Sequence, residues 1–233
     1  MTGLQHRIAA LDFPGIAAAL DERGCATTGP LLSPAECQAL TARYDGDGFR
    51  AHIIMARHGF GRGEYKYFAA PLPPEVTALR QGLYAGLAPV ARAWSARLGG
   101  PDYPPTHADY IATCHLTGQT RPTPLLLRYG PGDYNCLHQD LYGEMHFPLQ
   151  VAFLLTDPGE FTGGEFVLTE QRPRMQSRAE VITLRQGEGV VFAVNERPVR
   201  GGRGDYRVKL RHGVSRLRSG TRHTLGVIFH DAR

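Results

Sequence analysis

The sequence has no apolar run approaching the ~18 residues needed to cross a bilayer, and its first fifteen residues carry Asp12 and Pro14 where a signal peptide would be uniformly apolar. A cytoplasmic protein without a membrane partner is expected. Cysteines number only four, Cys25, Cys37, Cys114 and Cys136, all far apart. A zinc cage or a disulfide framework therefore lacks its ligands, and reduced, mostly buried thiols are expected, Cys136 among them. Gly163-Gly164 is followed by no P-loop lysine, which removes phosphate cradling of that kind and leaves the pair as turn residues. Internal repeats and interdomain linkers are also missing. Glycine and proline, 28 and 17 of 233 residues, stay below the ~25–30% that marks low-complexity disorder. These absences leave one globular domain spanning 1–233.

What is present falls into two parts. Residues 1–120 read as mainly helical support. Asp12 can cap a helix with Pro14 in its first turn and Gly24 past its end, and Ser33 with Glu36 has capping-box spacing for a second helix ending near Tyr44. CATTGPLL holds a short strand, and extended chain is expected at Ile53–Ile54 and Tyr65–Phe68, on either side of the glycine-rich HGFGRGE. A long helix should start after Pro73-Pro74 and run toward Leu98, kinked or split at Pro89, which lacks an amide hydrogen. Gly99-Gly100 ends it, and Thr106 to Gln119 forms another. Residues 121–233 change pattern to short runs separated by turns: LLLRY, PLQVAFLLT, GEFVLTE, AEVITL, GVVFAV, RVKLRHGV and TLGVIFH. Runs of that length predict an antiparallel barrel or sandwich. The fold class is α+β, with a jelly-roll core and the helices on one outer face. PLQVAFLLT and TLGVIFH, apolar on both faces, should be central strands, while RVKLR alternates and should have a wet side.

The sharpest chemical feature is His138-Gln139-Asp140. Residues i and i+2 of an extended segment share a side, so an imidazole and a carboxylate can meet at one ion while Gln139 points away. That is half of a metal site. A third ligand must come from a distant strand, with His146, His212, His223 and His230 as candidates. Two His and one carboxylate on one face of an octahedron leave the opposite positions open, as in non-haem Fe(II) oxygenases. His212 is favoured because Arg222 follows ten residues later, where ligand and guanidinium could face one cavity from neighbouring strands. An arginine so placed grips a carboxylate through a bidentate fork. His223 has Arg233 at the same distance, but Arg233 is the last residue. His146 reads as a polar loop residue or part of the substrate mouth.

His138, Asp140, His212 and Arg222 together resemble the Fe(II)/2-oxoglutarate-dependent dioxygenase family, whose core is a double-stranded β-helix. RYGPGDYNCLHQD resembles the prolyl-hydroxylase-type strand that leads into the metal motif, in which a Tyr at the position of Tyr129 helps to hold 2-oxoglutarate. FTGGEFVLTE and LSPAEC are similar to that family's turn-and-strand and leading helix. More narrowly, HQDLYGEMHFPLQ, FTGGEFVLTEQRPRMQSR and RHGVSRLRSGTRHTLGVIFHD resemble a group of bacterial oxygenases proposed to act on alkylated DNA. The resemblance implies metal ligation by His138, Asp140 and His212, cosubstrate binding by Arg222 and Tyr129, and the use of Fe(II), 2-oxoglutarate and O2 to hydroxylate a C–H bond.

Two substrate classes follow, alkylated nucleic acid or a protein side chain such as prolyl. A metal-bearing jelly roll that only binds or senses a ligand is the reading from another class, and it has no need for Arg222. Known alkylated-nucleic-acid demethylases carry RxNxTxR after the distal His, whereas this chain has RHTLGVI from Arg222 onward and lacks the second arginine. The formal net charge is +4, but Arg172 to Arg222 holds thirteen Lys/Arg against Glu180, Glu188, Glu196 and Asp205, a local charge of +9 that leaves the rest at −5. Such a stretch can steer a polyanion or form a solvated face. Arg172, Arg174 and Arg178 are its first candidate contacts with nucleic acid.

Overall fold

In a computed structural model, residues 2–141 and 143–233 are described. Five helices among them all lie in the first half: α1 (Gly3–Ala9), α2 (Phe13–Arg23), α3 (Pro34–Ala42), α4 (Pro74–Leu98) and α5 (His107–Leu116). That half also supplies β1 (Cys25–Pro30), β2 (Phe49–Ile54), β3 (Gly61–Arg62) and β4 (Glu64–Phe68). The second half runs β5 (Leu125–Tyr129), β6 (Tyr134–His138), β7 (Leu149–Leu154), β8 (Phe161–Gly163), β9 (Phe166–Gln171) and β10 (Arg178–Ile182). It continues through β11 (Glu188–Ala193), β12 (Glu196–Gly201), β13 (Gly204–Val214), β14 (Leu217–Gly220) and β15 (Arg222–Val227).

The caps read from sequence form as expected. Asp12 accepts from the Gly15 amide, Gly24 closes α2 in the left-handed region at φ 80°, and Ser33 and Glu36 satisfy each other's amides. Gly99 ends α4 the same way at φ 66°. Pro89 does not split that helix. Leu87, Ala88, Val90, Ala91 and Trp94 around it are all buried, and full burial of an apolar side chain stabilises by about 1.5–3 kcal/mol, enough to outweigh one missing hydrogen bond.

Two antiparallel sheets dominate. One has the order β1-β11-β7-β15-β5-β4-β2, the other β10-β9-β13-β6-β3 with β12 also on β13, and β14 pairs β8 apart from both. The apolar runs PLQVAFLLT and TLGVIFH became β7 and β15, adjacent and central as expected. β13 alternates as its sequence does, with Arg207, Lys209 and Arg211 exposed and Val208, Leu210 and His212 buried. In the seven-stranded sheet alternate residues divide between two environments. Phe153, Val191 and Leu225 join Leu20 of α2 and Leu83 and Leu87 of α4 in one core cluster. Residues of the other parity, Leu127, Tyr129, Gln150, Arg222 and Thr224, face a cavity of about 340 Å³ that the six-stranded sheet closes with His138, Phe166 and His212.

Candidate active site

His138 is the last residue of β6 and lies directly opposite His212 of β13 in the strand register. Asp140 follows just past the strand end, so the imidazole and carboxylate meet across the chain's exit from the sheet rather than within it. His138 Nε2 lies 3.4 Å from Asp140 Oδ1, His212 Nε2 lies 3.3 Å from Asp140 Oδ2, and the two imidazole rings are 4.2 Å apart. All three ligand atoms fall within 4.8 Å of one another, and this is the metal-competent group among the described residues. Ligands about 2.1 Å from one ion at right angles sit about 3 Å apart, so these donors are close to the spacing one metal requires. Gln139 turns away, donating to Asn195 Oδ1 at 2.6 Å and to the Leu210 carbonyl at 2.8 Å.

The surroundings prepare the donors. His138 Nδ1 lies 2.7 Å from the Cys136 carbonyl, a bond that makes Nδ1 the protonated nitrogen and leaves Nε2 its lone pair. Burial pushes the Asp140 carboxyl up, but the hydrogen bonds and positive charge of His138 and His212 outweigh it and hold the group well below the usual carboxylate range. Burial drives His212 down, keeping it neutral and basic toward a cation. Phe166 and Phe192 pack on its ring, with Phe192 4.5 Å away. The site opens on one side only: the His138 side chain is 33% exposed and that of His212 8%.

Arg222 opens β15 opposite Tyr129 of β5, its guanidinium 5.8 Å from the phenol ring centre and 6.0 Å from that of Phe161. It is buried in the same cavity wall, and its NH1 has no hydrogen-bond partner. A buried cation without a partner costs several kcal/mol, and burial accordingly lowers Arg222 to about 10, against the raising effect of Tyr129 and Glu165. The Tyr129 hydroxyl is likewise buried, and burial pushes it up to about 12 although the charge of Arg222 and a hydrogen bond with Asn135 oppose the shift. Gly164, at φ 69°, lets the arginine through: a Cβ there would lie 2.9 Å from Arg222 Cδ.

The structure brings all five predicted site residues to one cavity. The rival histidines lie elsewhere. His223 packs edge-on against Tyr44 at 5.7 Å, and His230 is buried with Nδ1 accepting from the Phe147 amide at 3.3 Å. His146 lines a separate cavity beside Trp94 and Tyr103. Cys136 is exposed at the mouth rather than buried, because only the two-residue β3 flanks that edge of β6. Two lining residues had not been singled out. Gln150, a lone amide in an apolar strand, is buried and its Nε2 has no partner. Phe60, from the glycine-rich turn, stands at the mouth. The basic stretch is not one face: Arg172, Arg178 and Arg197 all reach Glu170, Arg185 faces Glu188, and Arg207 faces Glu196.

Residues 63–232 match the Oxygenase-NA family, described as an oxygenase catalysing oxidative methylation of damaged DNA. The chain belongs to this family. Two uncharacterized proteins of Mycobacterium tuberculosis, MT2286 of strain CDC 1551 and Rv2227 of strain H37Rv, are each 52% identical to this oxygenase over 167 residues, 71% of this chain and 72% of theirs. Among solved structures, a prolyl-4-hydroxylase from Pseudomonas putida superposes with a TM-score of 0.53 at 15% identity, covering 95% of this chain and 99% of its own. A Trichoplax adhaerens prolyl hydroxylase in complex with a hypoxia-inducible-factor peptide gives 0.58 at 14%, with 97% and 90% covered. A Burkholderia pseudomallei protein of the 2OG-Fe(II) oxygenase family gives 0.53 at 16%, with 94% and 92% covered. The chain is thus an oxygenase by its family, and it shares its fold with solved 2OG-Fe(II) oxygenases and prolyl hydroxylases, the proteins that HQD, His212 and Arg222 resemble.

Proposed function

We propose that this oxygenase binds Fe(II) through His138, Asp140 and His212, binds 2-oxoglutarate through Arg222 and Tyr129, and oxidises N-methyl groups on damaged nucleic acid. The observation that carries it is the unpaired guanidinium of Arg222, buried in the same cavity as the three clustered donors. A five-carbon keto diacid would fit both ends of the cavity, offering one carboxylate to Arg222 and the Tyr129 hydroxyl and its keto-acid end to a metal that His138, Asp140 and His212 would hold. When bound, iron and 2-oxoglutarate supply the activation of O2, the keto acid leaving as succinate and CO2. The chain orients and protects. Arg222 and Tyr129 fix one end of the cosubstrate, His138 Nε2 and the ionised Asp140 present lone pairs to the metal, and Leu125, Leu127, Val151 and Ile228 line walls that exclude water.

The strand order is part of the proposal. Among the main strands from β5 to β15, β5, β7, β11 and β15 lie in one sheet and β6, β9, β10 and β13 in the other, the chain crossing between sheets at each step except the β9–β10 hairpin, an order that supports reading the core as a jelly roll of two four-stranded sheets. The family description names methylation of damaged DNA. Oxygen inserted into an N-methyl C–H bond leaves a hydroxymethyl group that departs as formaldehyde, so on a methylated base such a site removes the group.

Iron-loaded protein incubated with 2-oxoglutarate and separate pools of methylated oligonucleotides and proline-containing peptides tests the reading. Loss of a CH2 unit from the oligonucleotides with matching succinate is expected. Gain of one oxygen on peptides, with the oligonucleotides untouched, would replace the substrate assignment by a protein hydroxylase. Succinate formation that persists in His212→Ala would reject the metal assignment.

A further inference from the structure

Gly59 and Phe60 of the turn His58-Gly59-Phe60-Gly61-Arg62-Gly63 line one side of the cavity. Gly59, Gly61 and Gly63 all have positive φ, 71°, 126° and 111°. At Gly61 a Cβ would collide with the Tyr134 carbonyl oxygen, so only glycine lets the turn lie flush along β6. The turn is tied down there on both sides of Phe60. Its carbonyl accepts from the Cys136 amide at 2.9 Å and its amide donates to Met55 at 3.2 Å, while Gly61 and Arg62 pair with Asn135 and Tyr134. A backbone held this firmly nonetheless leaves the Phe60 ring 47% exposed while it lines the cavity. The exposed His58 ring stacks on it at 5.3 Å with the planes 23° apart. Leu137, also half in water, continues the apolar rim.

Cations flank this rim. Arg62, directly after the glycine that fixes Phe60, has a side chain 61% exposed and meets only Asp133, at 3.7 Å. Arg216 approaches the same strand, its guanidinium 5.6 Å from the centre of the Tyr134 ring. Stacked rings with arginines beside them fit a strand that offers flat bases and phosphates. A base stacked on an aromatic ring gains affinity whatever its identity, because every base has a flat π-face. An enzyme that works on a base must also compensate for taking it out of its stack. A prolyl peptide can lay its ring on an aromatic face but brings no phosphates for the arginines.

We propose that Phe60 and His58 form a stacking platform for a nucleobase of the substrate strand, with Arg62 and Arg216 pairing the phosphates beside it. The proposal rests on the nucleic-acid reading and names where that strand is gripped. This places the contact at the cavity mouth rather than at Arg172, Arg174 and Arg178.

The test uses the full chain and a fluorescent single-stranded oligonucleotide of about a dozen nucleotides bearing one N-methylated adenine, with affinity followed by anisotropy across a salt series. Phe60→Ala should weaken binding about tenfold or more, Phe60→Trp should restore it, and Leu116→Ala, at an exposed leucine on α5, should bind like the parent. Arg62→Ala and Arg216→Ala should each lower the slope of log affinity against log salt by about one. Unchanged thermal midpoints would show that the variants fold. If the parent binds the oligonucleotide and Phe60→Ala binds equally well, the platform is wrong while the nucleic-acid reading stands. A parent that does not bind the oligonucleotide and instead hydroxylates peptides overturns both.

Discussion

The central strands β7, β11 and β15 of the seven-stranded sheet are largely buried on both faces, whereas the six-stranded sheet turns one face of β13 to solvent, and each sheet carries a different half of the site. Behind Arg222, Tyr129 and Gln150 stand β7, β11 and β15 and then α2 and α4. Behind His138 and His212 the outer surface is Lys209, Arg211 and Val181. The difference teaches how each group is held. A lone guanidinium kept in an apolar wall needs a wall that cannot yield, so it sits where packing is deepest. His138 and His212 brace one another through Asp140, and that mutual hold suffices on a sheet only one layer thick.

Substitutions can break this contrast. The largest effect is expected from His212→Ala, which should abolish 2-oxoglutarate turnover and metal binding by titration calorimetry while shifting the thermal midpoint little. A large fall in stability instead would mean that the thin sheet depends on the cluster for folding. On the thick side, Arg80 of α4 donates to the carbonyl oxygens of Ile228, Phe229 and His230 and pairs with Asp231 at 2.7 Å, all buried. Arg80→Ala should cost about 3–5 kcal/mol in urea unfolding, because it leaves the buried Asp231 carboxylate with His115 as its remaining charged partner and takes the donor from three buried carbonyl oxygens. Arg222→Ala should raise the 2-oxoglutarate requirement about 10- to 100-fold, the worth of a charge-assisted hydrogen bond, without a matching change in metal affinity.

A smaller effect concerns pH. Burial, with help from Arg80, lowers His107 to about 4 although the Phe229 carbonyl and Asp231 oppose it. The unfolded chain takes up a proton near pH 6.5 that the folded chain refuses until about 4, so stability should fall as pH drops through that window, at up to about 1.4 kcal/mol per unit. His107→Gln should flatten that slope, and an unchanged slope would remove His107 as its source. Least of all, Lys209→Ala with Arg211→Ala on the open face should change stability by no more than about 0.5 kcal/mol. A larger loss would show that this face is not simply solvated.

Local chemistry was readable in the sequence and long-range geometry much less so. Asp12, Gly24, Ser33 with Glu36, and Gly99 act on amides or turns within a few residues, so their roles can be read from spacing. The short α1 escaped notice although Thr2 and Gln5 form its capping box, since Leu4 and Ile8 alone make no convincing apolar period. Of the kink or split expected at Pro89, the split does not occur, because the core that holds α4 together through it is assembled from strands far away in the chain. His138, Asp140, His212 and Arg222 were legible because their residue types and intervals match a demanding chemistry. Gln150 could have been noticed as the one amide in PLQVAFLLT. Phe60 could not, since nothing in HGFGRGE says that the turn will be pressed along β6 until β3 forms.

The strand pairing of β4 with β5 bears on any attempt to miniaturise this enzyme. Through it Tyr65 and Tyr67, from the helix-rich half, become part of the reaction chamber's lining. A fragment beginning at residue 121 would hold every predicted metal and cosubstrate contact yet present β5 as a bare, adhesive margin and a chamber breached on that flank. Grafting the chemistry elsewhere therefore means carrying the tyrosine strand along with it.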